Sequence, residues 1–371
     1  MKVGVPTEIK ANEHRVGLTP AAVSEYVAAG HEVVVQSLAG AGIGASDETY
    51  RASGAIVADT AEEIFATADM IVKVKEPQAS EYSQLREGQI LYTYLHLAPD
   101  PEQTRGLLSS GCTAIAYETV TDADATLPLL APMSEVAGRL SIQAAASALE
   151  KHNNGEGLLL GGVPGVKPAE IVVIGGGVVG TNAAKMAVGL GAQVTIFDRS
   201  LKRLRQLDDL FDGRVHTVYS TKAALADAVA TADAVIGAVL IPGAAAPRLV
   251  TRDMLATMKE GAALVDVAID QGGCFETSTA TTHENPTYVV DGVVHYCVAN
   301  MPGAVPKTSS YALNNATLQH GLALANNGLR ALDNPFLLQG LNVHEGKLTY
   351  KAAADSLEYG YCDPREALKC A

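Results

Sequence analysis

The stretch Ile171-Val-Val-Ile-Gly-Gly-Gly-Val-Val-Gly180 carries the clearest chemistry in this chain. A β-branched run leads into Gly175-x-Gly177-x-x-Gly180, a helix-like pattern follows from Thr181, and Gly191-Ala-Gln-Val-Thr-Ile-Phe-Asp198 reads as a strand ending in an acid. Gly175 permits a tight turn, Gly177 lets the backbone approach a pyrophosphate, and Gly180 lets helix and strand pack closely. The helix N-terminus then offers unpaired N–H groups and a partial positive charge to phosphate. A glycine triplet alone also fits an ordinary glycine-rich loop. The flanking strands and Asp198 turn the balance toward a dinucleotide.

Three more residues stand where strands should end. Lys75 lies in Lys73-Val-Lys-Glu-Pro77, His96 in Thr93-Tyr-Leu-His-Leu97, and Asp270 in Val265-Asp-Val-Ala-Ile-Asp-Gln-Gly-Gly273. Open α/β sheets bind ligands beyond the carboxyl ends of their strands. Each residue also has a plain reading: a solvated charge for Lys75, a histidine satisfied by backbone for His96, a turn cap for Asp270. Position alone does not choose between the readings.

The elements that must hold these groups alternate. Strands are expected over residues 2–6, 31–36, 70–75, 89–96 and 113–117. Thr19-Pro20 and Asp100-Pro101 supply an N-cap and a preset φ for helices that end near Gly30 and Gly111. A helical pattern also starts at Thr60, and a long one runs from residue 132 to about 152, followed by a glycine-rich loop over 155–168. Further strands are expected over 214–218, 234–237, 262–267, 288–290 and 295–298, and residues 308–332 read as helical again. Strand-then-helix repetition implies parallel pairing. The expected fold is α/β: two Rossmann-like doubly wound parallel-sheet domains joined by a long helix. The nucleotide domain, residues 131–307, is inserted into a discontinuous substrate domain, residues 1–130 plus 308–371.

Composition bounds the rest. The 371 residues include 48% hydrophobic and 18% charged, with no tryptophan, enough for more than one packed core. A net charge of −14 argues against nucleic acid as a partner. The five cysteines, Cys112, Cys274, Cys297, Cys362 and Cys370, form no C-x-x-C pair and read as reduced thiols of a cytoplasmic protein. No apolar run is long enough for a membrane span, and the chain opens directly on a strand, so no leader is expected.

Several long segments, in order, closely resemble the alanine dehydrogenases. They are Val3-Gly-Val-Pro-Thr-Glu-Ile-Lys10, Glu13-His-Arg-Val16, Val72-Lys-Val-Lys-Glu-Pro77, Leu95-His-Leu97, Leu130-Ala-Pro-Met-Ser-Glu-Val-Ala-Gly-Arg139, Asp266-Val-Ala-Ile-Asp-Gln-Gly-Gly-Cys-Phe-Glu276 and Cys297-Val-Ala-Asn-Met-Pro302. The resemblance implies a reversible reaction in which L-alanine, NAD and water give pyruvate, ammonia and NADH. It assigns Arg15 to the substrate carboxylate, Lys75 to a second positive charge near the substrate oxygens, and His96 and Asp270 to acid–base steps. It places Ser134, Val178, Asp198, Arg203, Ser220, Val239, Leu240, Val267, Ala268, Ile269, Asp270, Val298, Ala299, Asn300 and Met301 around NAD, beside Gly175, Gly177 and Gly180. No metal enters the scheme, and the family suggests a homohexamer.

The family is also similar to the soluble nucleotide-binding part of proton-translocating transhydrogenases, which makes a transhydrogenase component the alternative. A dinucleotide-binding regulator without turnover is a third reading. The set Arg15, Lys75 and His96 and the form Gln271-Gly-Gly-Cys-Phe-Glu276 favour the enzyme, because buried charges without a task are costly. One departure stands out: Thr279 occupies a position where close relatives often carry an arginine that could reach the cofactor. The tail from Tyr359 onward matches no family feature.

Overall fold

The computed structural model describes residues 1–239 and 246–369. The chain divides into two compact units: Met1–Met133 with Val305–Ala371, and Ser134–Ala304. Its strands, in chain order, are β1 (Lys2–Val5), β2 (Glu32–Gln36), β3 (Ile56–Ala58), β4 (Met70–Val72), β5 (Ile90–Thr93), β6 (Thr113–Ala116), β7 (Glu170–Ile174), β8 (Gln193–Asp198), β9 (His216–Tyr219), β10 (Ala234–Gly237), β11 (Ala263–Asp266), β12 (Thr287–Val290), β13 (Val293–Tyr296), β14 (Leu341–His344) and β15 (Lys347–Leu348).

In the first unit the sheet order is β15-β14-β6-β5-β4-β1-β2-β3. Strands β1 to β6 pair in parallel, and β14 and β15 add an antiparallel edge. The order reverses between β1 and β4, the switch point at which such sheets take ligands. All four residues of β5 and of β6 are buried, as expected for parallel strands covered on both faces. The expected helix starts are present. The Thr19 hydroxyl accepts from Ala22 N at the head of Pro20–Ala28, and Asp100 accepts from Gln103 N at the head of Pro101–Ser110, which Gly111 closes at φ +68°.

In the second unit the order is β12-β13-β11-β10-β7-β8-β9, parallel except for the antiparallel β12–β13 pair. Alternate residues feed opposite cores. Ile171, Val173, Ile236 and Val265 pack on one face, and Val172, Ile174, Val235 and Leu264 on the other. The switch point lies between β7 and β10.

Three expectations are corrected. β4 stops at Val72 and β5 at Thr93, so Lys75 and His96 stand in loops three residues past their strands. Side-chain acceptors replace the ladder there: the Glu8 carboxylate takes the N–H groups of Val74 and Lys75, and Glu118 takes those of Leu95 and His96. The long helix is Ala131–Ala148 and does not reach 152. The chain turns at extended Glu150, and Gly155 returns so close to the Ala148 carbonyl that a Cβ would lie 2.3 Å from it. The late helix, Pro306–Asn327, gives way to a 3₁₀ turn at Gly328, whose combination of φ +58° and ψ −140° only glycine adopts cheaply.

Candidate active site

The second unit holds a dinucleotide cradle. Gly175, at φ +103°, follows β7, and Gly177 caps the helix Val178–Gly189. A Cβ on Gly180 would lie 1.8 Å from the Gly175 carbonyl oxygen, so the helix presses on the turn as the motif requires. A Cβ on Gly177 would meet nothing within 4 Å, which leaves open space over the first N–H groups of the helix. Exposed Val178 borders that space. Asp198 ends β8. Its Oδ2 accepts from Gly176 N and its Oδ1 from Ser200 N, both at 2.8 Å, and each oxygen keeps a lone pair for a ribose hydroxyl. Arg203 is bound to the turn itself, donating to the Gly176 carbonyl at 2.6 Å and the Thr181 hydroxyl at 2.7 Å. These residues fit a dinucleotide: open room over a helix N-terminus for the pyrophosphate and a strand-end acid for the ribose.

Two glycine variants separate packing from binding. Gly180→Ala forces backbone apart and is expected to cost both stability and NADH affinity. Gly177→Ala has room and an ordinary φ of −68°, so its Tm should stay within about 2 °C while the NADH Kd rises about tenfold or more, roughly 1.4 kcal/mol. Fluorescence titration with NADH checks this, and an unchanged Kd for Gly177→Ala would take the pyrophosphate out of that space.

The other cofactor candidates of this unit lie at its carboxyl edge or near the entry. Ser220 follows β9, with its N–H on the Asp198 carbonyl. Half-buried Val239 follows β10; Leu240 lies outside the described residues. Val267 donates its N–H to the Gly237 carbonyl, and Ala268 and Ile269 are buried beneath exposed Asp270. Val298 and Met301 are buried, Ala299 donates to the Thr281 carbonyl, and Asn300 adopts φ +59°. Its N–H approaches Asp270 Oδ2 at 3.4 Å, so the structure brings the 298–301 and 267–270 loops together. Ser134 is half-buried in the helix Ala131–Ala148. Thr279 donates its N–H to the Tyr288 hydroxyl at 2.7 Å.

The first unit gathers Arg15, Lys75 and His96 in the loops that follow β1, β4 and β5. Arg15 is buried, and Glu13 grips one edge of its guanidinium through Nε and Nη2. Burial works to lower the Arg15 pKa, but the Glu13 carboxylate outweighs it and holds the charge in place. Nη1 lies 3.1 Å from Met133 Sδ. Half-buried Lys75 stands 3.8 Å from Glu76, which also pairs with Lys10. Exposed His96 adopts φ +51° and stacks on Tyr94, with ring planes 5° apart. Burial pushes the Tyr94 hydroxyl up, and the nearby Arg15 charge opposes that shift, so Tyr94 lies between Arg15 and His96.

Several supporting groups gave no signal in the sequence because their partners are distant in the chain. Glu118 accepts from His96 N at 2.6 Å, and its carboxylate stands 3.7 Å from His96 Nδ1. Glu8 and Glu81 flank fully buried Lys73 at 3.0 and 2.9 Å. Burial pushes the Cys112 thiol up to about 11 and the Cys274 thiol up to about 12, which disfavours the thiolate at both. Among the described residues no cluster of His, Cys, Asp or Glu is placed to hold a metal ion.

Residues 4–137 match the family model for the N-terminal domain, and residues 141–351 that for the C-terminal domain, of alanine dehydrogenase/PNT. The chain is 60% identical to an alanine dehydrogenase of Halomonas elongata, over 97% of this chain and 98% of that one. A solved L-alanine dehydrogenase superposes with a TM-score of 0.94 at 52% identity, covering 96% of this chain and 99% of its own. A transhydrogenase from Sinorhizobium meliloti superposes at 0.82 with 28% identity, covering 95% and 100%. With both domain models matched in order and relatives identical at most positions along nearly its whole length, the chain belongs to the alanine dehydrogenase/PNT family.

Proposed function

We propose that the chain is an NAD-dependent L-alanine dehydrogenase, interconverting L-alanine, NAD and water with pyruvate, ammonia and NADH. The observation that supports this beyond family membership is the exposed Asp270 carboxylate beside Asn300, in the same unit as the glycine cradle. A nucleotide-binding part of a transhydrogenase needs the cradle; a proton-transfer group at that position suits an enzyme acting on its own substrate. When bound, NAD supplies the hydride acceptor. The chain's residues do the rest. Lys75 and the Arg15 guanidinium, whose charge Glu13 holds in place, hold the substrate's carboxylate and carbonyl oxygens. His96 and Asp270 carry the protons: the amine must lose one before hydride leaves Cα, water must add to the imine, and the carbinolamine must release ammonia. A homohexamer working in the cytoplasm belongs to the same reading. No helix among the described residues is long and apolar enough to cross a membrane.

The purified protein is expected to oxidise NADH with pyruvate and ammonia, and to reduce NAD with L-alanine. A screen of pyruvate, glyoxylate and longer 2-oxo acids at 340 nm tests this, and NADH binding without turnover on any of them would overturn it. NAD should be preferred over NADP by about tenfold or more. The Asp198 carboxylate repels a 2′-phosphate, and Arg203, bound to the glycine turn, is not poised to welcome one. Equal kcat/KM with NADPH would refute that role for Asp198.

Arg15→Lys should lower pyruvate kcat/KM by about 2 kcal/mol, near thirtyfold, with NADH affinity unchanged. A single ammonium drawn to Glu13 cannot replace the two parallel hydrogen bonds that a guanidinium makes to a carboxylate. Pyruvate kinetics matching the parent would remove Arg15 from the substrate site.

A further inference from the structure

We infer that Asp266 is the positioning residue for Asp270: its buried carboxylate ties both arms of the loop that carries the acid–base group. This rests on the proposed role of Asp270.

Asp266 ends β11 and is fully buried. Its Oδ1 accepts from Ala268 N at 3.1 Å on the outgoing arm. Its Oδ2 accepts from Cys274 N at 2.8 Å, Phe275 N at 3.4 Å and the Ser278 hydroxyl on the returning arm. Between the tied points the backbone folds tightly. Gln271 N and Gly273 N both donate to the Ala268 carbonyl, and Gly272 and Gly273 take φ of +92° and +83°. A Cβ on Gly273 would lie 2.8 Å from Asp266 Oδ2 and 2.9 Å from Ser278 Cβ, so the loop closes directly on the carboxylate. Asp270 sits at the tip, midway between Asp266 and Cys274 in the chain.

The returning arm is anchored again behind Ser278. Cys297 Sγ stands 3.9 Å from the Ser278 hydroxyl and 3.4 Å from the Tyr288 hydroxyl, which donates to the Thr277 carbonyl and accepts from Thr279 N. Cys297 opens the segment whose Asn300 N–H meets Asp270. One buried carboxylate therefore registers the tip of one loop against the tip of another. Burial pushes the Asp266 pKa up and these donors pull it back, so the group is held by its bonds and not by water.

An amide in place of this carboxylate keeps the shape and breaks the register. Whichever way the amide turned, its NH2 would face backbone N–H donors on one arm. Displacing a proton-transfer group by about 1 Å can cost on the order of a hundredfold. In the full-length protein, Asp266→Asn is expected to lower kcat about 10- to 100-fold while pyruvate KM stays within about threefold, because Asp270 moves protons and does not hold the substrate carboxylate. The solvent deuterium isotope effect on kcat should rise as the misplaced carboxylate makes proton transfer limiting. Ser278→Ala removes one bond of the set and should show the same signature with a smaller loss; it decides the matter if Asp266→Asn fails to fold. A parent-like kcat and isotope effect in the folded variant would overturn the inference. So would losses of NADH affinity and kcat in equal measure with an unchanged isotope effect, which mark a purely structural knot. Asp270→Asn measured alongside separates the two failures. If it is inactive while Asp266→Asn is normal, only the positioning role falls. If it is active, the proton role falls and this inference with it.

Discussion

Asp270→Asn is expected to lower kcat by about 100-fold or more in both directions, with Tm and NADH affinity close to those of the parent. The structure makes this a clean substitution. The Asp270 side chain is exposed, and its carboxylate accepts a long bond from Asn300 N, which an asparagine oxygen accepts equally well. The loop around it is held by Asp266 and by backbone bonds that the variant keeps. What disappears is the ability to take a proton and to carry charge. A turn-capping aspartate would tolerate the change. His96 needs a matched variant, and its φ of +51° selects His96→Asn, since asparagine accepts the left-handed region better than alanine. If both groups serve one proton-transfer sequence, the double variant should be little worse than the worse single one. Steady-state kcat in both directions, with NADH titration as the folding control, measures all three. Near-parent turnover by Asp270→Asn would leave it a structural residue and send the search for the acid–base group elsewhere.

What the sequence made legible was what is local. Thr19-Pro20, Asp100-Pro101 and Gly111 act within one turn of their own residues, and the structure has them capping as expected. The glycine triplet and Asp198 are likewise one βαβ unit. The antiparallel additions are locally encoded too. Asp291-Gly292, at φ +49° and +80°, joins β12 to β13, and Glu345-Gly346, at +46° and +74°, joins β14 to β15; both are two-residue turns of the kind that fold strands back. The strand-then-helix rhythm elsewhere implies parallel pairing, and these turns are the local exception to it. Least legible were the supports of the site. Nothing in the neighbourhood of Glu118 announces that it will hold His96, 22 residues away, and Glu8 reaches Val74 across 66. Glu13 is only two residues from Arg15, but the pattern Glu-x-Arg says nothing of burial, and burial is what turns the pair from a surface contact into a fixed mount.

That mount has a counterpart with a larger stability at stake. Lys73→Met is expected to destabilise the first unit by about 3–5 kcal/mol, because it leaves two carboxylates in the core without their cation. Lys73 is fully buried between Glu8 and Glu81. Methionine matches the stem of the lysine, so the loss is one of charge more than of packing. Burial already pushes the Glu8 pKa above its ordinary value, against the pull of Lys73; without that cation it moves higher still. A folded-state pKa above the unfolded one means that the folded variant binds more protons, so stability falls as pH rises. The deficit relative to the parent should therefore be smaller near pH ~5 and grow upward from the glutamate range, as the Glu8 carboxylate is forced to ionise without its cation. Function should follow structure, since Glu8 also accepts the N–H groups of Val74 and Lys75. Pyruvate KM should rise as Lys75 loses its mount, while NADH affinity, which belongs to the other unit, should not. Urea unfolding of both proteins at pH ~5 and pH ~8 supplies the test. A deficit below about 1 kcal/mol, equal at the two pH values, would mean that water reaches the three charges and that Lys73 does not hold the substrate loop in place.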